Sequence, residues 1–189
     1  MENSKLDIIK VNNLSFEKYI DKEDIKKNIK LLAKSINIKF EHKDPVFLAV
    51  LDGSFMFTAD LLKRVNIHST LSFVKIKSYE GTESTGNHKE LIGLDKDLTG
   101  KHIIILEDII DTGLTMKYLI NELNKINPAS ITITSLLIKR DALKFNVEPD
   151  FALFEIQNDF VVGYGLDFDG YGRNLKHIYK VCKPEPVIS

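Results

Sequence analysis

Three carboxylates stand beside one of the most apolar segments of the chain. The stretch from Ile103 to Met116 reads IIILEDIIDTGLTM, so Glu107, Asp108 and Asp111 follow closely on an apolar run. In open α/β sheets, ligands bind beyond the carboxyl ends of the strands. We therefore expect the first two acids to lie at such an end and to face a ligand.

The loop after these acids has the features of an anion site. It runs from Asp111 to Thr115 and opens a predicted helix, where free backbone N–H groups and the helix dipole favour negative charge. Gly113 allows close approach of the backbone, and Thr112 and Thr115 add hydroxyl donors. A ligand that matches both parts carries a phosphate at one end and hydroxyls a few ångströms away, as ribose 5-phosphate does.

The elements that must position these residues alternate along the chain. The strands are expected at 46–51, 71–79, 103–107 and 130–139, and the helices at 21–36 (with Asp21 as N-cap), 54–65 and 114–126. This order favours an α/β fold with a central, mostly parallel sheet flanked by helices. After residue 150 short strands follow, and we expect them to form a small cap with the N-terminal segment.

Composition narrows the possible functions. The 189 residues suit one domain, and the net charge of −1 provides no field that would recruit nucleic acid or a membrane surface. The lone Cys182 fits a reducing cytoplasm, and no apolar run approaches the ~20 residues of a membrane span. A P-loop signature and zinc-ligand spacing are both missing from the sequence. We expect a cytoplasmic protein that binds small molecules.

Taken singly, these residues have plainer interpretations, since Asp111 and Thr112 could cap a helix and the acid pair could end a strand in solvent. In combination, the thirteen residues from Ile103 to Thr115 resemble the phosphoribosyl-diphosphate motif of the type I phosphoribosyltransferases. The resemblance extends over about residues 10 to 182 and narrows to the hypoxanthine-guanine phosphoribosyltransferases. It implies the type I phosphoribosyltransferase fold, with a core at about 37–150, a cap (hood) from about 1–36 and 151–182, and a tail at 183–189.

Three further segments carry this resemblance. VLDGSFMFTADLL resembles the first active-site loop of the family, which implies a cis peptide at Leu51–Asp52 and backbone amides that hold pyrophosphate. KSYEGTESTG resembles the mobile second loop, whose Ser78–Tyr79 pair closes over the site, and residues 80–90 have a length that suits a lid. SLLIKR and DFVVGYGLDFDGYGR resemble the segments that bind the purine and the diphosphate.

The resemblance assigns a role to each matching residue. The catalytic group comprises Asp111 as general base, Lys139, and Glu107 and Asp108 at the ribose hydroxyls; the Mg²⁺ ligands are Glu107, Asp108 and Asp167. The substrate-binding residues are Leu51, Asp52, Gly53, Ser78, Tyr79, Ile109, Ile110, Thr112, Gly113, Leu114, Thr115, Lys139, Phe160, Val161 and Arg173. On residue type alone, Lys139 could instead be a snorkelling lysine and Phe160 a core residue.

Two positions depart from the family. Asp52 stands where many members have lysine, and Asn174 stands where an acid commonly follows the arginine. The implied activity transfers phosphoribosyl from its α-diphosphate to hypoxanthine or guanine, with Mg²⁺, in purine salvage. A xanthine-preferring enzyme and a regulatory protein that keeps the fold are the alternatives. The resemblance also implies a homo-oligomer, either a dimer or a tetramer.

Overall fold

A computed structural model describes residues 7–79, 88–94 and 97–182. Of the predicted lid, residues 80–87 lie outside the described part, as does the predicted tail at 183–189. The elements in chain order are β1 (Ile8–Val11), β2 (Leu14–Ile20), α1 (Lys22–Lys39), β3 (Val46–Leu51), α2 (Phe55–Leu62), β4 (Thr70–Tyr79), β5 (His88–Ile92), β6 (His102–Ile110), α3 (Leu114–Asn124), β7 (Ser130–Ile138), β8 (Phe151–Glu155), β9 (Val161–Val162) and β10 (Ile178–Val181).

The larger sheet has the strand order β5-β4-β3-β6-β7-β8. Five of its strands are parallel, and β5 runs antiparallel to β4. In β3 the side chains alternate between two cores: Phe47 and Ala49 pack with α1 and α2, while Leu48 and Val50 pack with α3. A strand covered on both faces must be apolar throughout, which is why VFLAVL reads as a continuous apolar run. The predicted fold class is confirmed.

Strand β6 is longer than the predicted strand at 103–107. Its pairing with β3 ends at Leu106, whereas its pairing with β7 continues to Ile110. Glu107 and Asp108 therefore lie within the strand, where one side of β6 has lost its neighbour. This open side at the carboxyl end of the sheet forms the crevice that the sequence predicted.

A second, antiparallel sheet has the order β1-β2-β10-β9 and combines both ends of the described chain. Its first hairpin, which the sequence analysis missed, turns at Asn12–Asn13, and Asn12 has a φ of 52°. Asparagine tolerates this left-handed conformation, which two-residue hairpin turns require. Helix α1 follows this hairpin, and the predicted N-cap Asp21 accepts a hydrogen bond from the backbone N–H of Glu23 at 2.9 Å.

One segment lies elsewhere than predicted. We expected all of residues 151–182 to contribute to the cap, but β8 pairs in parallel with β7 at the edge of the large sheet. Phe151, Leu153 and Phe154 pack there against the core that α1 and α2 cover. Burial of these apolar side chains explains why β8 joins the large sheet. Within the described residues, none of the helices has the length and apolar character needed to cross a membrane.

Candidate active site

Two neighbouring carboxyl groups lie at the open side of β6. Glu107 is only 7% exposed, and its Oε2 has no hydrogen-bond partner in the described part of the chain. Burial, and then the adjacent charge of Asp108, raise the pKa of Glu107 well above its usual value. Burial also raises the pKa of Asp108 to about 6, although the backbone N–H of Ile109 donates to its Oδ1 at 3.0 Å. Such a pair favours a bound cation, which would stabilise both charges.

A cavity of about 260 Å³ lies in front of these acids. It is lined by Val50, Leu51, Asp52, Gly53, Ile76, Glu107, Asp108, Thr115, Asp167 and Arg173. The structure thus brings together residues that the sequence placed in four separate segments.

The loop after β3 fits closely against this cavity. The peptide bond between Leu51 and Asp52 is cis, as predicted. A Cβ at Gly53 would overlap the Oδ2 of Asp108, so only glycine allows this approach. Gly165 has a φ of +103°, and a Cβ there would overlap the carbonyl oxygen of Gly53. The two glycines let the loops of the site lie in direct contact.

The acids of this cavity fit the predicted Mg²⁺. In proteins Mg²⁺ usually binds one or two carboxylates and completes its shell with water and substrate phosphates. Within the described residues, no group of three or more His, Cys, Asp or Glu side chains forms a cation site of its own. Glu107, with its unpartnered buried oxygen, and Asp108 and Asp167 in the same lining fit a cation shared with a phosphorylated substrate.

Two cations near the cavity, Arg173 and Lys75, are paired with carboxylates. Arg173 lies 2.8 Å from Asp167, and it donates to the carbonyl of Gly165 at 2.8 Å. These contacts orient the guanidinium without an acid at position 174. Lys75 lies 2.6 Å from Asp52, the residue that stands in place of the family's common lysine.

The predicted anion loop borders a second cavity of about 270 Å³. It is lined by Glu107 and by residues 109–116, including Thr112 and Thr115. Gly113 has a φ of 80° immediately before α3, a conformation that favours glycine. The N–H of Leu114 donates to the Oγ1 of Thr112 at 3.3 Å, and the N–H of Lys144 donates to the carbonyl oxygen of Thr112 at 3.0 Å. These bonds fix the loop at the helix start.

Lys139 and Asp111 meet at the ends of two neighbouring strands. The Nζ of Lys139 lies 3.0 Å from the Oδ2 of Asp111. The lysine side chain is 8% exposed and the aspartate side chain 46%. This burial argues against a snorkelling lysine, whose ammonium group would lie in water.

Phe160 lies on an aromatic cluster of the smaller sheet. Its ring meets Phe168 edge-to-face, with centroids 5.5 Å apart, and Phe16 lies 6.1 Å away. Phe160 is nevertheless 43% exposed, whereas its neighbour Val161 is buried in β9. The ring of Phe160 therefore packs against Phe168 and Phe16 and leaves part of its surface accessible to a ligand. The side chains of Ser78 and Tyr79 lie outside the described part of the structure.

Two contacts at the site escaped the sequence analysis. Tyr164 donates a hydrogen bond to Asp60 at 2.7 Å, which ties α2 to the loop that carries Gly165. The other is the pair of Lys75 and Asp52. A lysine within the apolar strand LSFVKIKSY was the available signal for the second contact, and nothing comparable marks the first.

Comparison with known proteins shows the family of the chain. Residues 15–169 match the family model described as phosphoribosyl transferase domain. The hypoxanthine-guanine phosphoribosyltransferase of Lactococcus lactis is 39% identical over 167 residues, which cover 88% of this chain and 90% of that relative. The chain belongs to the hypoxanthine-guanine phosphoribosyltransferases.

Other members of the family agree in sequence and in fold. A hypoxanthine-guanine-xanthine phosphoribosyltransferase from Tritrichomonas foetus is 38% identical over 82% of this chain and 85% of its own length. A crystal structure of a hypoxanthine phosphoribosyltransferase from Staphylococcus aureus matches with a TM-score of 0.82 at 36% identity, over 92% of this chain and 94% of that one. The type I phosphoribosyltransferase fold expected from the sequence is confirmed.

Proposed function

We propose that this protein transfers the 5-phosphoribosyl group of 5-phospho-α-D-ribose 1-diphosphate to hypoxanthine or guanine. The products are IMP or GMP and pyrophosphate, and the biological role is purine salvage. The observation that carries the proposal is the Lys139–Asp111 pair, whose atoms lie 3.0 Å apart and whose aspartate is the first residue of the anion loop. A base that contacts this pair would lie within reach of a ribose whose phosphate occupies the loop.

In this reaction Asp111, Lys139, Phe160 and the backbone of Val161 act on the purine base. Asp111 accepts the N7 proton of the purine, while the bond from C1′ to the diphosphate breaks and the bond from C1′ to N9 forms. Lys139 has three donors, so it can bind Asp111 and still donate to the purine O6. Phe160 stacks on the base, and the carbonyl of Val161 accepts from the base edge.

The sugar diphosphate is held at its two ends. Residues 112–115 bind the 5-phosphate, and Glu107 and Asp108 accept hydrogen bonds from the ribose hydroxyls. Arg173 and the backbone at Leu51–Gly53 hold the diphosphate. Mg²⁺, when bound to Glu107, Asp108 or Asp167, would neutralise charge on the leaving group. Because the donor groups are hard carboxylate oxygens, they suit this ion.

The proposal also covers the domain division, the cellular location and the oligomeric state of the protein. We propose one domain with a core and a cap as predicted, except that β8 is assigned to the core. We also propose a cytoplasmic location, which the lone cysteine favours, and a homo-oligomer, either a dimer or a tetramer, which light scattering would test.

The direct experiment mixes the protein with Mg²⁺, phosphoribosyl diphosphate and one purine base, and follows the ultraviolet change on nucleotide formation. Hypoxanthine and guanine should react. A preference for xanthine would favour the second candidate, which the relative from Tritrichomonas foetus suggests. Binding of phosphoribosyl diphosphate without turnover of any base would contradict the proposed enzymatic activity and favour a regulatory protein that keeps the fold.

A further inference from the structure

The cavity in front of Glu107 is short of positive charge for the ligand it must take. Among the residues described, its lining includes a single cation, Arg173, which lies 2.8 Å from a carboxylate of the same lining. The lining carboxylates are Asp52, Glu107, Asp108 and Asp167. A diphosphate carries several negative charges, and bound Mg²⁺ would offset only part of this repulsion.

A second cation lies one hydrogen bond away from the cavity. The Nζ of Lys75 is 2.6 Å from the Oδ2 of Asp52, which is itself a lining residue. Lys75 sits on β4 directly opposite Leu51 of β3 in the parallel register. The loop that carries Asp52 therefore begins beside the lysine.

The pair of Lys75 and Asp52 is built to open easily. The two side chains are 40% and 49% exposed, and ion pairs of such exposure contribute little to stability. Lysine is a point charge on a flexible stem, so its ammonium can move to a new partner without displacing the strand. Asp52, being half exposed, can turn to water when it loses the lysine.

We propose that Lys75 is a second cation that binds the leaving diphosphate. In the free protein Lys75 is paired with Asp52, and it leaves this carboxylate when the diphosphate binds. On binding, the ammonium exchanges the carboxylate of Asp52 for a diphosphate oxygen. This inference rests on the proposed function, because it takes the ligand of the cavity to be a diphosphate.

Titration calorimetry with inorganic pyrophosphate and Mg²⁺ tests the exchange without turnover. Lys75→Met should raise the Kd for pyrophosphate about tenfold, the loss of one hydrogen bond to a charged group, whereas Lys75→Arg should retain most of the affinity. Asp52→Asn should lower the Kd by about two- to fivefold, since it removes a weak competing pair. In the Asp52→Asn, Lys75→Met double variant this gain should disappear, because no lysine remains to be released.

Lys125→Met is the matched control, since Lys125 also forms an exposed ion pair, at 2.6 Å from Glu122. It should leave the Kd unchanged, and melting curves should show that all variants fold. A Kd within twofold of wild type for Lys75→Met would overturn the proposal. So would an equal gain from Asp52→Asn with and without Lys75, because Asp52 would then act by its own charge. Both outcomes leave nucleotide formation by the wild type, and hence the proposed function, untouched.

Discussion

The ammonium of Lys139 lies 3.0 Å from Asp111 and joins the carboxyl ends of β6 and β7. The backbone supports this contact, because the N–H of Lys139 donates to the carbonyl of Ile110 at 2.9 Å. The lysine side chain is buried while the aspartate side chain is half exposed. The cation is therefore fixed by its surroundings, and the carboxylate is the member of the pair that solvent and ligands can reach.

Asp111→Asn tests the general base. Asparagine can still accept a hydrogen bond from Lys139, so the fold should persist while proton transfer is lost. We expect kcat to fall by roughly 10²–10⁴-fold, the usual contribution of a positioned base, with little change in the Kd for phosphoribosyl diphosphate. Asp141→Asn, at an exposed carboxylate two positions after Lys139 in the chain, is the control. A kcat of the Asp111 variant within threefold of wild type would show that Asp111 is not the general base.

Asp108→Asn tests the cost of burying a carboxyl group at the site. Burial raises the pKa of Asp108 from 3.8 to about 6. Below pH 3.8 the group is protonated in the folded and unfolded states alike; above about pH 6 it is ionised in both, and the folded state bears the full cost of the buried charge. The variant should therefore melt several degrees higher than wild type at pH 7.5, for a gain of up to about 3 kcal/mol, and near the wild-type temperature at pH 3.5.

Asp97→Asn provides a contrast of opposite sign. Hydrogen bonds from Thr99 lower the pKa of Asp97, so its charge stabilises the fold above the usual aspartate pKa and the stability is lost in acid. Its replacement should lower the melting temperature at pH 7.5 and have little effect in acid. If Asp108→Asn also lowers the melting temperature at pH 7.5, burial does not dominate at Asp108.

Phe160→Ala tests the stacking platform. The ring is 43% exposed, so its loss should shift the melting temperature by only a few degrees. Stacked aromatic pairs contribute about 0.5–1.5 kcal/mol beyond area burial, so the purine KM should rise several-fold or more. Tyr171→Ala, which removes an aromatic ring that is 64% exposed, should leave the KM unchanged. If Phe160→Ala instead lowers the melting temperature strongly while the molecules that remain folded keep their affinity for the base, the ring belongs to the core.

The sequence predicted the parts of the site that are local in the chain. The acid pair, the anion loop and the apolar strands lie within short segments, where the periodicity and the types of neighbouring residues carry the information. The resemblance placed the cis peptide at Leu51–Asp52 for the same reason, because a contiguous motif carried it.

Contacts between distant segments could not be predicted in this way. Lys75 and Asp52 are separated by 23 positions, and Tyr164 and Asp60 by 104, so no local pattern links them. Gly165 and Gly53 are likewise far apart in the chain, and only the fold shows that Gly165 lies against Gly53. The position of β8 depended likewise on which core would cover Phe151 and Leu153.

The proposed activity and the role of Lys139 are tested most directly by kcat/KM for guanine, hypoxanthine, xanthine and adenine, measured with the wild type and with Lys139→Met. An ammonium group donates to a purine O6 but cannot accept from the amine of adenine, and sites built around such a bond discriminate by about 10⁴–10⁵-fold. We expect efficient use of guanine and hypoxanthine, rejection of adenine, and a severe loss of 6-oxopurine turnover in Lys139→Met but not in the exposed control Lys144→Met. Efficient use of adenine by the wild type, or undiminished use of guanine by Lys139→Met, would contradict this expectation.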